Sequence, residues 1–152
     1  MRKFLLSFLI SAFTSLAIWA DTWTDPNTGY TWTYRINSNG AEIYKVFDNG
    51  LETAAISPMP SGSVTIPNML GSNPVIKIGN AAFRNCDRLT SLTIPNSVEH
   101  IGNQAFYNCS SLSIVTIPDS VKRIGSNAFT GCSTSLLYGT SDIQGAAVVD
   151  GL

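Results

Sequence analysis

One 23-residue pattern occurs three times in succession, and it limits the possible folds of this chain more than any other feature. Without gaps, residues 75–97, 98–120 and 121–132 read VIKIGNAAFRNCDRLTSLTIPNS, VEHIGNQAFYNCSSLSIVTIPDS and VKRIGSNAFTGC. Self-similarity at a fixed period of about 20 to 50 residues is typical of repeat proteins, in which each unit covers its neighbour's apolar face. We therefore predict an array of stacked repeats.

The positions within each repeat predict its local structure. Leu92 and Ile94 alternate with polar residues, as expected for the inward side of a short strand, and Pro95 ends the strand because its nitrogen cannot donate to the ladder. The segment Ala-Phe-x-x-Cys fits a single helical turn against the core. The fold class is therefore predicted to be α/β and strand-rich. Turns with positive φ are predicted at the repeated glycines, which are Gly79, Gly102 and Gly125.

The N-terminal stretch, residues 1–20, predicts a secretory signal peptide. Arg2 and Lys3 precede the apolar run FLLSFLISAFTSLAIWA, and cleavage is predicted after Ala17 or Ala20. An uncleaved anchor is the alternative, but the run is short for a membrane span and contains several hydroxyl residues. We expect a secreted or cell-surface protein with no membrane span after cleavage.

Residues 21–60 predict a β-hairpin that caps the first repeat. The segment YTWTYRI alternates with period two, residues 37–40 supply a reversal, and AEIYKVF returns as a second strand. Ends of repeat arrays expose apolar surface unless a terminal unit covers them. We assign residues 61–140 to the array, with NMLGSNP as a surface loop and Leu136 in a last strand, and residues 141–152 to a tail.

The charge balance argues against a nucleic-acid ligand. Without Arg2 and Lys3, 7 of the 9 Lys and Arg residues remain beside 10 Asp and Glu residues, a net charge of −3. Nucleic-acid binders carry a strongly basic surface instead.

We expect a monomer.

The full motif, I-G-x-x-A-F-x-x-C-x-x-L-x-x-L-x-I-P-x-S-V over residues 64–132, resembles the BspA-like leucine-rich repeat proteins. The resemblance implies a right-handed leucine-rich-repeat solenoid, here a short open horseshoe with a hairpin cap. It also implies export and display on bacteria or protists, where some members act as adhesins. The family has no shared catalytic residues, and no cofactor is expected. This chain is short, with two complete repeats and two partial ones.

Two columns of the repeat are predicted to lie in the core. A disulfide is disfavoured because equivalent cysteines point the same way and an odd number cannot all pair. Three thiols also fall short of a four-ligand zinc site, so no metal is expected. The columns are Phe83, Phe106 and Phe129, and Cys86, Cys109 and Cys132.

The single histidine, His100, would have to carry any His-dependent catalysis. It lies in a basic column with Lys77 and Arg123, where no orienting partner or water-excluding pocket is indicated. We therefore predict that the protein is not an enzyme. The column could favour an acidic partner, or it could be a solvated surface offset by Glu99 and Asp119.

Two further groups are candidates for ligand contact. The outward side of the main strands carries a row of hydroxyl residues, which could equally reflect strand propensity. These residues are Thr65, Thr93 and Thr116, with Ser63, Ser91 and Ile114 one row over. Aromatic residues of the hairpin, chiefly Trp23, Trp32 and Tyr34, could stack on sugars or form the underside of the cap.

These candidates leave three hypotheses for function. The first is a non-enzymatic, adhesin-like module that binds an extracellular or cell-surface protein. The second is a carbohydrate-binding module that uses the hairpin aromatics to hold a glycan. The third is a truncated scaffold fragment without a ligand of its own.

Overall fold

The computed structural model describes residues 20–45, 47–48, 51–52, 55–133 and 135–138. These residues form short strands joined by turns and contain no helix, so none could cross a membrane as a helix. The predicted signal peptide, apart from Ala20, and the predicted tail lie outside the described residues. The strands are β1 (Asp21–Thr24), β2 (Thr31–Asn37), β3 (Gly40–Ile43), β4 (Phe47–Asp48), β5 (Leu51–Glu52), β6 (Ile56–Ser57), β7 (Gly62–Thr65), β8 (Met69–Leu70), β9 (Asn73–Ile78), β10 (Leu89–Thr93), β11 (His100–Ile101), β12 (Ile114–Ile117), β13 (Arg123–Ile124) and β14 (Ser135–Tyr138).

Each repeat contributes one strand to each of two sheets. The larger sheet has the order β1-β2-β3-β9-β11-β13, with β6 beside β2 and β8 beside β9, and the smaller has the order β14-β12-β10-β7. Strands of successive repeats pair in parallel, and residues 23 positions apart are partners, such as Thr93 with Thr116 and His100 with Arg123. The period therefore sets the register. The last strand, β14, pairs with β12 and confirms the predicted final strand around Leu136.

The segment Ala-Phe-x-x-Cys forms successive turns, so the predicted helical turn is wrong. Local bonds join the amides of Ala82 and Arg84 to carbonyls three residues back, whereas the alternating amides of Ala81, Phe83 and Asn85 donate to the next repeat. The amide of Phe83, for example, donates to Ala105 O at 2.7 Å. In an α-helix that amide would bond to Gly79 O instead. A hydrogen bond to the next repeat therefore takes the place of the bond that the Phe83 amide would form within a helix.

The repeated glycines do not adopt positive φ, so that prediction is also wrong. Each of these glycines is followed two positions later by a left-handed residue, at Ala81, Gln104 and Asn127, with φ of 53°, 54° and 57°. Glycine is required for space instead: a Cβ on Gly102 would lie 2.7 Å from Gly79 C, in the preceding repeat. Backbones of neighbouring repeats approach too closely there for any side chain.

The phenylalanine column runs through the core as predicted. The rings of Phe83, Phe106 and Phe129 stack in sequence with centroids 5.1 Å apart and interplanar angles of 15° and 9°. Trp32 ends the column, its ring meeting Phe83 edge-on at 6.2 Å. Apolar residues of both sheets, including Ile78 and Leu92, belong to the same core.

The predicted hairpin is present as β2 and β3, with residues 38–39 at its tip. Trp32 and Tyr34 point inward as the alternation predicts, but Ile36, at the strand end, is half exposed. Strand β3 pairs in parallel with β9, which attaches the hairpin to the first full repeat. The pairing of β1 with β2 was not predicted, and the predicted NMLGSNP loop instead contains the tight antiparallel pair of β8 with β9.

Candidate functional site

The hydroxyl residues of the smaller sheet form one exposed surface, which we call the threonine face. Thr65, Thr93 and Thr116 are consecutive cross-strand partners with exposed side chains. Ser63, Ser91 and Ile114 form the neighbouring row in the same register. Ile114 is 48% exposed and places an apolar group where the other strands have serine. The sequence-predicted contact residues of this sheet are thus brought together.

The basic column lies on the other sheet. Lys77, His100 and Arg123 are cross-strand partners on β9, β11 and β13. Because the two sheets share a core between them, the basic column and the threonine face are separate surfaces. The structure does not combine them into one contact site.

A buried carboxylate, Glu42, continues the basic column onto the hairpin. It is 4% exposed and pairs across the sheet with Lys77. One carboxylate oxygen accepts Lys77 Nζ at 3.1 Å, and the other accepts Arg35 Nε and Nη2, each at 2.9 Å. The charge of Lys77 is therefore partly compensated. Arg123, by contrast, makes no ion pair within the described part of the chain.

A groove of about 270 Å³ lies beside the basic column, and we call it the basic groove. Lys77, His100 and Arg123 line one part of it. Another part is lined by Asn80 and Asn103, the residues that directly follow the Ile-Gly pair in two successive repeats. Glycine backbone forms the remainder together with Ile101. A Cβ on Gly102 or Gly125 would meet the asparagine of the preceding repeat, so both positions in the groove require glycine.

The asparagines of the groove form a ladder along the repeats. Asn80 Oδ1 accepts the amide of Asn103 at 2.9 Å, and Asn103 Oδ1 accepts the amide of Ser126 at 3.0 Å. These bonds fix which end of each side-chain amide faces the neighbouring repeat. Both asparagines are otherwise exposed.

The side chain of His100 is partly buried in the basic column. Its Nδ1 atom is buried and has no hydrogen-bond partner among the described residues, so no group there orients the ring as a general base. Glu99, next to it, is held by Lys122 at 2.9 Å, and this hydrogen bond and charge lower the pKa of the Glu99 carboxyl. Within the described ranges, no three acidic, His or Cys side chains are grouped to hold a metal ion.

The hairpin aromatics correct the sugar-stacking hypothesis. Trp32 is 1% exposed and Tyr34 is 7% exposed, so neither ring offers a face to a sugar. Burial raises the pKa of the Tyr34 hydroxyl, with a smaller contribution from Asp21. Trp23 is half-buried and packs against the core. The rings form the underside of the hairpin, which is the alternative that the sequence left open.

The cysteine column consists of free thiols. Cys86 and Cys109 are buried, and Cys132 is half-buried. The thiols of Cys109 and Cys132 donate to the carbonyls of Phe83 and Phe106 in the preceding repeat, at 3.0 and 3.1 Å. A hydrogen bond with Cys132 lowers the pKa of Cys109, but the bond with Cys86 and burial raise it more, to about 12. The raised pKa keeps the Cys109 thiol neutral, and this thiol packs in the core.

Sequence reasoning missed three residues of this region. Glu42 lies in the hairpin, outside the repeat pattern, and only the strand pairing reveals that it partners Lys77. Asn80 and Asn103 did carry a signal, because both follow an Ile-Gly pair at the 23-residue period. The third repeat has Ser126 at that position.

Comparison with known proteins finds one matching family model, described as a BspA type leucine rich repeat region. It matches residues 61–143, more than half of the chain, in six copies. No curated protein matches the chain at a significant level.

Solved structures of bacterial proteins share this fold. A leucine rich cell surface protein from Faecalibacterium prausnitzii is 35% identical, with a TM-score of 0.56 over 77% of this chain and 30% of that one. A leucine rich repeat protein from T. pallidum is 22% identical, with a TM-score of 0.52 over 77% of this chain and 45% of that one. The chain thus spans less than half the length of either.

Proposed function

Because the chain belongs to the BspA-type leucine-rich repeat family, we propose that it is a non-enzymatic module that binds a protein partner outside the cell. In this proposal the repeats wind as a right-handed solenoid, a short open horseshoe closed at its N-terminal end by the hairpin. The predicted signal peptide would export the chain, and the partner would be an extracellular or cell-surface protein, as for an adhesin. The similar Faecalibacterium protein is described as a cell surface protein.

The threonine face is the observation that carries this proposal. Three threonines in register give a regular array of short side chains with little conformational entropy to lose on binding. Ile114 adds an exposed apolar group within the same surface. A rigid sheet with a mixed hydroxyl and apolar face suits contact with another protein, whose affinity would come from surface complementarity.

Capture experiments with matched variants test this proposal. The purified protein, immobilised, is exposed to extracellular-matrix and cell-surface extracts, and captured proteins are identified by mass spectrometry. Thr116→Arg and Thr93→Arg place a charged, bulky side chain on the threonine face, and Thr22→Arg makes the same change on the exposed edge strand β1.

We expect a captured partner to be lost with Thr116→Arg and Thr93→Arg and retained with Thr22→Arg. Affinity of the purified partner for each variant then quantifies the loss. Capture that is equal for all variants would refute the role of the threonine face, and the absence of any captured partner would count against the proposed function.

A further inference from the structure

The asparagine ladder decides what chemistry the basic groove presents. Because Asn80 Oδ1 and Asn103 Oδ1 each accept an amide from the next repeat, the acceptor end of each side chain is occupied by the protein itself. The amino group, Nδ2, is the end that remains for a ligand, and it can only donate hydrogen bonds. The asparagines therefore act as donors toward the groove.

The charged residues of the groove are donors as well. Arg123 is exposed and makes no ion pair among the described residues, and Lys77 shares the carboxylate of Glu42 with Arg35. Among the described residues, no acidic side chain lines the groove. The nearest carboxylate in sequence, Glu99, is bound by Lys122. The local surface is thus cationic on a chain whose expected net charge after export is negative.

The size of the groove limits the ligand. About 270 Å³ is just below the range of about 300–1,000 Å³ typical of sites for whole small molecules, so the groove fits individual side chains better. Neighbouring rungs of a sheet are about 4.8 Å apart, so the basic column from Lys77 to Arg123 extends over about 10 Å. Alternate side chains of an extended peptide, about 7 Å apart, can both lie within that length.

We propose that the basic groove binds carboxylate side chains of an extended acidic segment in the protein partner. Arg123 and Lys77 supply the charge, and the amino groups of Asn80 and Asn103 supply directed hydrogen bonds. Charge-assisted hydrogen bonds to carboxylates are stronger than neutral ones, which favours this ligand over a neutral carbonyl. This inference rests on the proposed function and adds a second surface to it, on the opposite sheet from the threonine face.

Fluorescence anisotropy tests the inference directly. The probe is a short fluorescein-labelled peptide of alternating glutamate and glycine, titrated with the full protein at low ionic strength. The control peptide has glutamine in place of each glutamate. We expect saturable binding of the acidic peptide, weakening with added salt, and no binding of the control.

Three variants locate the site. Arg123→Gln should weaken binding about tenfold, as loss of a contacting charge commonly does. Arg88→Gln makes the same chemical change at an exposed residue that does not line the groove, and it should change affinity by less than about twofold, because surface charges away from a contact contribute little. Asn103→Asp keeps an oxygen for the amide of Ser126 but replaces the donor by an anion, so binding should be lost while the melting temperature is retained.

Several outcomes would overturn the inference. Equal effects of Arg123→Gln and Arg88→Gln, undiminished binding by Asn103→Asp, or binding of the glutamine peptide would each do so. Binding of a heparin oligosaccharide without binding of the acidic peptide would replace carboxylates by sulfated glycans as the ligand. The peptide assay needs no cellular partner, so its failure counts against the groove alone, whereas failed capture counts against the proposed function.

Discussion

Removing the middle ring of the phenylalanine column should destabilise this protein more than removing the last one. Phe106 is fully buried and stacks on both Phe83 and Phe129, with 5.1 Å between centroids in each pair. Burying a Phe side chain contributes about 1.5–3 kcal/mol, and each aromatic pair adds about 0.5–1.5 kcal/mol. We therefore expect Phe106→Ala to lower the free energy of unfolding by about 3–5 kcal/mol, the usual cost of such a cavity.

Phe129 provides the matched comparison. It stacks on Phe106 alone among the described aromatic pairs, so Phe129→Ala should cost about 0.5–1.5 kcal/mol less. Phe106→Leu fills most of the cavity and should cost about 1–2 kcal/mol, which keeps a folded variant available if Phe106→Ala does not fold. Urea unfolding followed by tryptophan fluorescence measures all three, because Trp32 lies 6.2 Å from Phe83 at the end of the column.

The order of the two losses in free energy of unfolding, for Phe106→Ala and Phe129→Ala, tests whether stacking between repeats adds to burial. Equal losses for Phe106→Ala and Phe129→Ala would show that stacking between repeats adds nothing to burial. A loss below about 1 kcal/mol for Phe106→Ala would show that the ring is not a core residue. The comparison holds only if the urea m-value is the same in every variant.

Three further predictions concern residues outside the phenylalanine column. Gly102→Ala should lower the free energy of unfolding by about 1–3 kcal/mol in thermal or urea denaturation, because its Cβ would lie 2.6 Å from Asn80 Oδ1 and 2.7 Å from Asn80 N. Glu42→Gln should cost about 1–3 kcal/mol because it removes buried, charge-assisted bonds to two cations, and Glu99→Gln, at an exposed pair, should cost much less. Folding raises the pKa of Cys109 from 9.0 to about 12, so the contribution of its neutral thiol is complete below about pH 9 and is lost as the pH rises to about 12. Urea unfolding across that pH range should show the free energy of unfolding falling by up to about 4 kcal/mol. The fall should be smaller in Cys109→Ala.

The repeat period predicted the parts of the fold that depend on register. Equivalent residues of neighbouring repeats became cross-strand partners, which placed Thr93 beside Thr116 and His100 beside Arg123. Each repeat contributes one residue to each column, so residues that align between repeats in the sequence are neighbours in the structure. The core rings and the exposed hydroxyl residues were therefore predictable from their spacing.

The backbone of the turns was not predictable in the same way. Positive φ occurs at Ala81 and Gln104, residues with no intrinsic preference for it, because contacts between repeats impose the conformation. The role of Gly102 likewise depends on the repeat before it. Outside the array no period exists, so the burial of Glu42 and the strand β1 required the folded structure.

The asparagine ladder has a consequence for how such a protein can evolve. Asn80 and Asn103 offer the same oxygen to the same backbone amide, so the first and second full repeats make the same side-chain bond to their successors. Tandem duplication of residues 98–120 would therefore insert a unit whose contacts on both sides already exist. Each duplication would lengthen the threonine face and the basic groove by one row. Recombination that changes the number of repeats can thus change the length of a binding surface, because each added repeat brings the same core residues.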